Sequence, residues 1–274
     1  MATAFVAARL SAAAKSGSFR ARPAMTRHNH FNLHRLRTEI KPFRLHWFSR
    51  LRSTNDHAAR LRKRGELFAP SVVLTGDQIA GRGRNTNTWW SSPGSLTVTF
   101  VLPIDEKLSP HQIPLIAGLA ARRAVAQISG DDGIQLKWPN DLVHRGRKLA
   151  GLLCERVHKA DLIGLGLNVN SAGRIPSTLR GRIVTLEEIA CRRLDKTDVL
   201  IAIAKQLYPM LTRRSQFPFP AVLREYDSHH ALIGRKVSVD SLGGQCEGLD
   251  PMGRLLVRSR GHLHRIIAGQ VNLH

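Results

Sequence analysis

Four short segments combine cations, a carboxylate and bare backbone in ways that suit an anionic ligand. In Asp77-Gln78-Ile79-Ala80-Gly81-Arg82-Gly83-Arg84, leading to Trp89-Trp90, glycines alternate with arginines. Glycine lets backbone approach a ligand closely, and guanidinium offers forked donors to phosphate or carboxylate. Taken alone, the segment reads equally well as a flexible Arg/Gly loop or a nucleic-acid contact. The two tryptophans are either core anchors or a lid over a flat ring.

Lys137-Trp138-Pro139-Asn140-Asp141 is followed shortly by Lys148-Leu149-Ala150-Gly151. Pro139 turns Trp138 away from helix and Asn140-Asp141 favours a turn, so Lys137 and Asp141 belong at a strand end. They either pair as a salt bridge or divide the work, the lysine neutralising phosphate and the carboxylate holding a divalent ion. Lys148 leads into an apolar run, where its charge needs a partner such as a bound anion. Gly164-Leu165-Gly166-Leu167-Asn168-Val169-Asn170 carries a GxG at a strand end, without the spacing of a dinucleotide fold, and the sequence has no Walker A segment. Ser53-Thr54-Asn55 reads first as a helix N-cap, which also turns free N–H groups and hydroxyls outward toward a polar ligand group.

The elements that must hold these segments follow from periodicity and punctuation. Arg44–Phe48 alternates as a strand, and Ser53 caps a helix over residues 57–64 that Gly65 ends. Ser71–Thr75 and Ser95–Leu102 read as strands, with a polar, Gly-rich loop over Gly76–Gly94 between them. Ile113–Ile128 is a helix apolar nearly all round, hence deeply buried. Strands follow near Ile134–Lys137, Asp141–His144, Lys148–Val157 and Asp161–Leu167, and Arg145-Gly146-Arg147 joins the second to the third. Thr185–Cys191, Thr197–Arg214 and Ala221–Ser228 are helical. The last forty or so residues change to short strands at regular spacing, Lys236–Asp240, Gln245–Leu249, Leu255–Ser259 and Leu263–Ala268, a small β-unit that suggests an SH3-like barrel packed on the main domain. His262 and His264 alternate on one of these strands as surface residues.

The chain has 274 residues and a net charge of +22, enough length for one large domain and a small one. Its charge raises a nucleic-acid reading, but +7 of it sits in residues 1–41 and the rest is spread out, without an Arg-rich helix or RNP aromatic cluster. Three widely spaced cysteines, Cys154, Cys191 and Cys246, argue against a disulfide framework or zinc ribbon and for a reducing cytoplasm. No apolar run approaches the ~20 residues of a membrane span. Residues 1–25 are rich in Ala, Ser and Arg and free of acids, like an organelle transit peptide, or Met25 is the true start. Residues 1–42 as a whole read as a basic, disordered extension, with His28, His30 and His34 in it, and order is expected from Phe43.

The ordered set STN, QxAGRGR…W, KWPND, RKLAG and GxGxN, covering Ser53 to Asn170, resembles the catalytic domain of biotin–protein ligases. The C-terminal strands, ending in Gly269-Gln270-Val271, are similar to that family's small β-domain. The resemblance implies an α+β fold: a class II synthetase-like mixed sheet flanked by helices over residues 43–230, then the SH3-like β-barrel over 231–274. It implies ATP-dependent activation of biotin to biotinyl-5′-adenylate and transfer to a lysine of a biotin carboxyl carrier protein, with Mg²⁺ as cofactor. Biotin would be held by Ser53, Thr54, Asn55 and Gln78, with Gly81, Arg82, Arg84 and Lys148 at its carboxylate. Lys148 would bridge that carboxylate and the α-phosphate. Gly83, Trp89, Lys137, Asn140 and Asn168 would serve the nucleotide, and Asp141 the Mg²⁺. The chief catalytic cations are then Lys148, Arg82, Arg84 and Lys137.

Two departures from the family pattern carry expectations. Asn85-Thr86-Asn87-Thr88 stands where the family often continues with a basic, glycine-containing stretch, so looser retention of the adenylate is expected. The segment before Phe43 is too short and polar for the winged-helix domain of some members, so specific DNA binding is not expected. The rivals are a lipoate or octanoate ligase or transferase of related fold, whose RRxSGGG-type stretch is missing here, and a basic nucleic-acid-binding protein.

Overall fold

The computed structural model describes residues 31–172 and 175–274; the transit-like stretch 1–25, His28 and His30 lie outside them. Seven strands form the main sheet: β1 (Arg44–Leu51), β2 (Ser71–Gln78), β5 (Ser95–Pro103), β6 (Ile134–Lys137), β7 (Asp141–His144), β8 (Arg147–Val157) and β9 (Ala160–Asn168). Their order is β1-β2-β5-β9-β8-β7-β6. The β1–β2 pair is parallel and the other neighbours are antiparallel, which makes the sheet mixed as expected. Two minimal strands, β3 (Gly81–Arg82) and β4 (Thr88–Trp89), form a separate hairpin within the Gly-rich stretch.

Alternation along the central strands decides what each sheet face does. On β5, Leu96, Val98, Phe100 and Leu102 join the main core, under α3 (Ile113–Ser129) and α5 (Lys196–Thr212). Ser95, Thr97 and Thr99 take the opposite face and are also buried. That second face carries α2 (Thr54–Lys63), seated through Ala58 on Val73, Val101 and Leu162. One face is therefore a solid core and the other a platform for polar chemistry.

Order begins earlier than the sequence suggests. Residues 33–39 form α1 (Leu33–Glu39), with Asn32 as N-cap accepting from Arg35 N at 3.0 Å, while Phe31, Leu36 and Ile40 are buried. The Asn32 N–H also donates to Thr197 Oγ1 at 3.1 Å, tying the segment to α5. The expectation of disorder up to residue 42 is thus corrected from Phe31 onward. Its basic, His-rich composition hid an apolar stripe that only α5 and β1 make worth burying.

The C-terminal unit has five antiparallel strands, β10 (Lys236–Val239), β11 (Leu242–Leu249), β12 (Leu255–Ser259), β13 (His262–Ile266) and β14 (Val271–Leu273), in the order β13-β12-β11-β10-β14. Its two edge strands do not pair with each other, so the SH3-like unit is an open sheet rather than the closed barrel expected. Val237, Val239, Cys246, Leu255, Val257 and Val271 belong to the same buried cluster as the main domain. Trp138 Nε1 donates to Gly253 O at 3.2 Å across the junction. Among the described residues no helix is long and apolar enough to cross a membrane.

Lys196 opens α5 and is buried, its Nζ donating to Pro93 O at 2.9 Å beneath the Phe31 ring. Burial, reinforced by nearby Arg193 and opposed by Asp195, lowers its pKa from 10.5 to about 8. Between those values the unfolded chain binds the extra proton, so stability rises with pH across this window and the full cost is felt below it. The expected gain is on the order of 3 kcal/mol at most. Urea midpoints at pH 7.5 and pH 10 should show it, and Lys196→Met should flatten the rise.

Candidate active site

A cleft of ≈ 870 Å³ opens on the polar face of the sheet, and its walls include Ser53, Thr54, Asn55, Gln78, Arg82, Gly83, Arg84, Trp89, Lys137, Asn140, Asp141, Lys148 and Asn168. Of the residues expected in a site, Gly81 alone does not line it, lying instead behind Gln78 and Trp89. Residues 115 positions apart in the chain thus share one cavity. Its lining holds Arg82, Arg84, Lys137, Lys148, Arg182 and Arg235 against the single carboxylate of Asp141. So unequal a lining draws in a polyanion.

One end of the cleft is neutral and tightly bonded. Ser53 is the N-cap of α2, its Oγ accepting from Asp56 N at 3.3 Å. Asn55 Nδ2 donates to Leu153 O at 3.0 Å and to Glu155 Oε2 at 2.8 Å, which uses both amide hydrogens. Thr99 Oγ1 donates to Asn55 Oδ1 at 2.6 Å and lies 2.9 Å from Thr54 Oγ1, whose own proton goes to Gln78 Oε1 at 3.3 Å. Gln78 Oε1 accepts from Thr54 N at 2.9 Å, leaving its Nε2 as a donor. The pocket therefore offers a ligand an acceptor on Asn55 beside donors on Ser53 and Gln78. A cyclic urea, with N–H groups and one carbonyl oxygen, is the complement of that pattern.

The floor is backbone. A Cβ at Gly164 would fall 2.2 Å from Asn55 Oδ1, and one at Gly166 would fall 2.3 Å from Trp89 Cε2. Glycine at these positions lets the pocket residue and the indole lie flat against β9.

At the charged end the β7–β8 register shifts, with Leu142 opposite Ala150 but Val143 opposite Lys148. Leu149 is the extra residue of a β-bulge. Without it Lys148 would share a face with core residues Ala150 and Leu152; the bulge turns it to the face of Gly151 instead. Its Nζ then pairs with Asp141 Oδ1 at 2.8 Å. The bulged backbone is held from outside, Lys148 N donating to Arg182 O at 2.8 Å and Lys148 O accepting from Val184 N at 3.0 Å. Burial pulls the Lys137 ammonium below the usual lysine value, with Asp141 opposing and Lys148 adding to the shift. Asn140 Nδ2 donates to Leu152 O at 2.6 Å, and Asn168 Nδ2 lies 3.4 Å from Lys148 O, so both amides partly serve the frame.

The Arg/Gly loop is a hairpin lying across the cleft. Gly83 N donates to Asn87 O at 2.8 Å and Asn87 N to Arg84 O at 3.1 Å, with Asn85 at φ 54° in the turn. Arg84 Nη1 reaches Gly269 O at 3.3 Å and Asn140 Oδ1 at 3.4 Å, so it joins the loop to the C-terminal sheet. Arg82 does not stand free; it is paired with Asp56 and Glu155. Two members of this network, Thr99 and Glu155, were missed from sequence. Their signals were a hydroxyl on every second residue of the strand over 95–99, and a lone acid after an apolar run.

Thr99→Val keeps shape and removes the proton that Asn55 receives. Binding of a cyclic-urea ligand is expected to weaken about tenfold, the cost of one lost buried hydrogen bond, with little change in turnover at saturation. Steady-state kinetics separate the two.

Residues 47–170 match the biotin/lipoate A/B protein ligase family. The chain is 28% identical over 257 residues to the bifunctional ligase/repressor BirA of Bacillus subtilis, covering 87% of this chain and 76% of that one. It is 28% identical over 210 residues to the biotin–[acetyl-CoA-carboxylase] ligase of Mycobacterium tuberculosis, covering 73% and 77%. Among solved structures it is similar to the biotin protein ligase of Aquifex aeolicus in complex with biotin and ATP, with TM-score 0.76 and 27% identity over 84% of this chain and 98% of that one.

Proposed function

We infer that this chain, which belongs to the biotin/lipoate A/B protein ligase family, is a biotin–protein ligase that activates biotin with ATP and transfers it to protein. The observation that carries the assignment of roles is the pairing, within one cleft, of a urea-shaped polar pocket with six cations facing one carboxylate. Biotin joins a cyclic urea to a carboxylate, and ATP brings the remaining negative charge. Lipoate and octanoate have no N–H to offer Asn55, so the neutral end of the cleft favours the vitamin.

A carboxylate oxygen attacks the α-phosphorus, the bond to the β-phosphate breaks, and pyrophosphate leaves. A carboxylate is already nucleophilic, so the step asks for alignment and charge neutralisation rather than a general base. We assign alignment to Ser53, Asn55 and Gln78, which would fix the ring. Lys148 would neutralise charge where carboxylate and α-phosphate meet, and Lys137, with Asn140 and Asn168, would serve the nucleotide. In the second step a lysine amine of a carrier protein attacks the anhydride carbonyl and AMP leaves. The lid hairpin would keep water from that anhydride.

The residues fit Mg²⁺ only as an ion carried by phosphate. Among the described residues no group of three or more His, Cys, Asp or Glu side chains converges, and Asp141 is the one carboxylate in the cleft. Mg²⁺ commonly binds one or two carboxylates plus substrate phosphates, so Asp141 would hold it. Bound there, it would supply charge neutralisation for the departing pyrophosphate.

Incubating the protein with biotin, ATP, Mg²⁺ and a biotin carboxyl carrier domain should give labelled carrier; absence of label and of pyrophosphate would overturn the reading. Cytoplasmic residence, or an organelle if residues 1–25 act as an address, belongs to the same proposal. The turn Asn85–Thr88 gives the lid order but no charge. Thr86→Lys, at an exposed position, should slow escape of the adenylate a few-fold, about the worth of one partly screened cation. Unchanged release kinetics would show that the missing charge is not the cause.

A further inference from the structure

Glu155 is used by neither the motifs nor the chemistry above, yet it stands where the vitamin pocket meets the lid. Its Oε2 accepts from Asn55 Nδ2 at 2.8 Å, and both its oxygens accept from Arg82 Nη2 at 3.0 Å. Arg82 Nε in turn donates to Asp56 Oδ1 at 2.7 Å. Asp56 follows Asn55 in the first turn of α2. These bonds close a ring through three elements distant in sequence: the start of α2, lid strand β3 and strand β8.

The lid needs such an anchor. Its ladder consists of Gly81 opposite Trp89 and Arg82 opposite Thr88, and an isolated two-stranded ribbon is marginal at best even at greater length. At its far end the Arg84 contacts are long, 3.3 and 3.4 Å. The Arg82 contacts are shorter, charge-assisted and made to two carboxylates. Arg82 Nη1 has no partner among the described residues, so the held guanidinium keeps donors for a ligand.

We propose that Glu155 is a positioning residue for biotin activation, a latch whose one carboxylate clamps the lid strand to the pocket and turns the Asn55 carbonyl oxygen toward the ligand. The proposal rests on the ligase reading and goes beyond it. Pocket and lid thereby answer to the same side chain.

Glu155→Gln keeps an oxygen for Asn55 and removes the charge that holds Arg82. In ligand-free protein, hydrogen exchange at the Gly83 and Asn87 amides should quicken by about tenfold or more, while α3 amides stay unchanged. Biotin binding by calorimetry should weaken about tenfold, and single-turnover adenylate formation at saturating substrates should change less than about threefold. Adding Arg82→Gln should raise exchange less than the same change does in wild type, because the bond to Glu155 is already broken and only the one to Asp56 remains to be lost. Unaltered exchange at Gly83 and Asn87, or additive effects in the double variant, would overturn the latch. A wild-type protein that neither bound biotin nor released pyrophosphate would strike the ligase reading instead, leaving the exchange comparison intact.

Discussion

Replacing Lys148 by alanine is expected to lower biotin-dependent pyrophosphate release by about a thousandfold or more, at the upper end of what one preorganised charge contributes. Two features make the effect large. The β-bulge at Leu149 exists, in effect, to turn this one ammonium from the core face to the cleft, where its only ion-pair partner among the described residues is Asp141 at 2.8 Å. Removing it also takes from Asp141 its ion-pair partner, so the loss of an attractive charge comes with a less well neutralised carboxylate beside the ligand. The fold should survive, because the bonds that hold the bulge are backbone bonds to Arg182 and Val184. A thermal melt should therefore stay close to wild type while turnover collapses, and biotin binding should fall less than turnover does. Turnover within tenfold of wild type would remove Lys148 from the chemistry.

What could be read from the chain ahead of its structure, and what could not, divides along a physical line. Lys137, Asp141 and Lys148 were found because their chemistry is packed into two short segments, 137–141 and 148–151, the first of which turns at Pro139. Strands such as Ser95–Pro103 and the buried helix Ile113–Ser129 were legible from period and apolarity. Glu155 and Thr99 were not, since their roles arise only when helix α2, 100 and 44 residues away in the chain, brings Asn55 to them. Helix α1 was missed for the same reason, its stripe of Phe31, Leu36 and Ile40 having value only against α5 and β1. The open C-terminal sheet shows the opposite error. Short strands at even spacing announce a small β-unit, but whether its edges meet depends on register, which spacing does not encode. The final strand, Val271–Leu273, is three residues long and gave no alternation to find.

Gly164→Ala should abolish tight biotin binding while nucleotide binding persists, and it tests the pocket through a residue that offers the ligand no side chain. The new methyl group would lie 2.2 Å from Asn55 Oδ1 and 2.8 Å from its Cγ. Nothing about the backbone forbids alanine, since Gly164 is absent from the positive-φ glycines; the objection is space alone. Asn55 is buried, with both amide hydrogens and its oxygen engaged by Leu153, Glu155 and Thr99. It can move aside only by breaking bonds that keep its acceptor in place. Overpacking of this kind typically costs 1–3 kcal/mol of stability, roughly what the variant should show in urea. Biotin affinity should drop by about a hundredfold or more, because a displaced acceptor leaves one ligand N–H buried without a partner. Calorimetry with biotin and separately with ATP distinguishes this from general unfolding, which would weaken both. Combining the substitution with Asn55→Ala supplies the decisive arm. The smaller side chain makes room for the methyl, so the double variant should recover the lost stability and bind biotin no worse than Asn55→Ala alone. Additive losses would mean that Gly164 serves the pocket by some route other than Asn55.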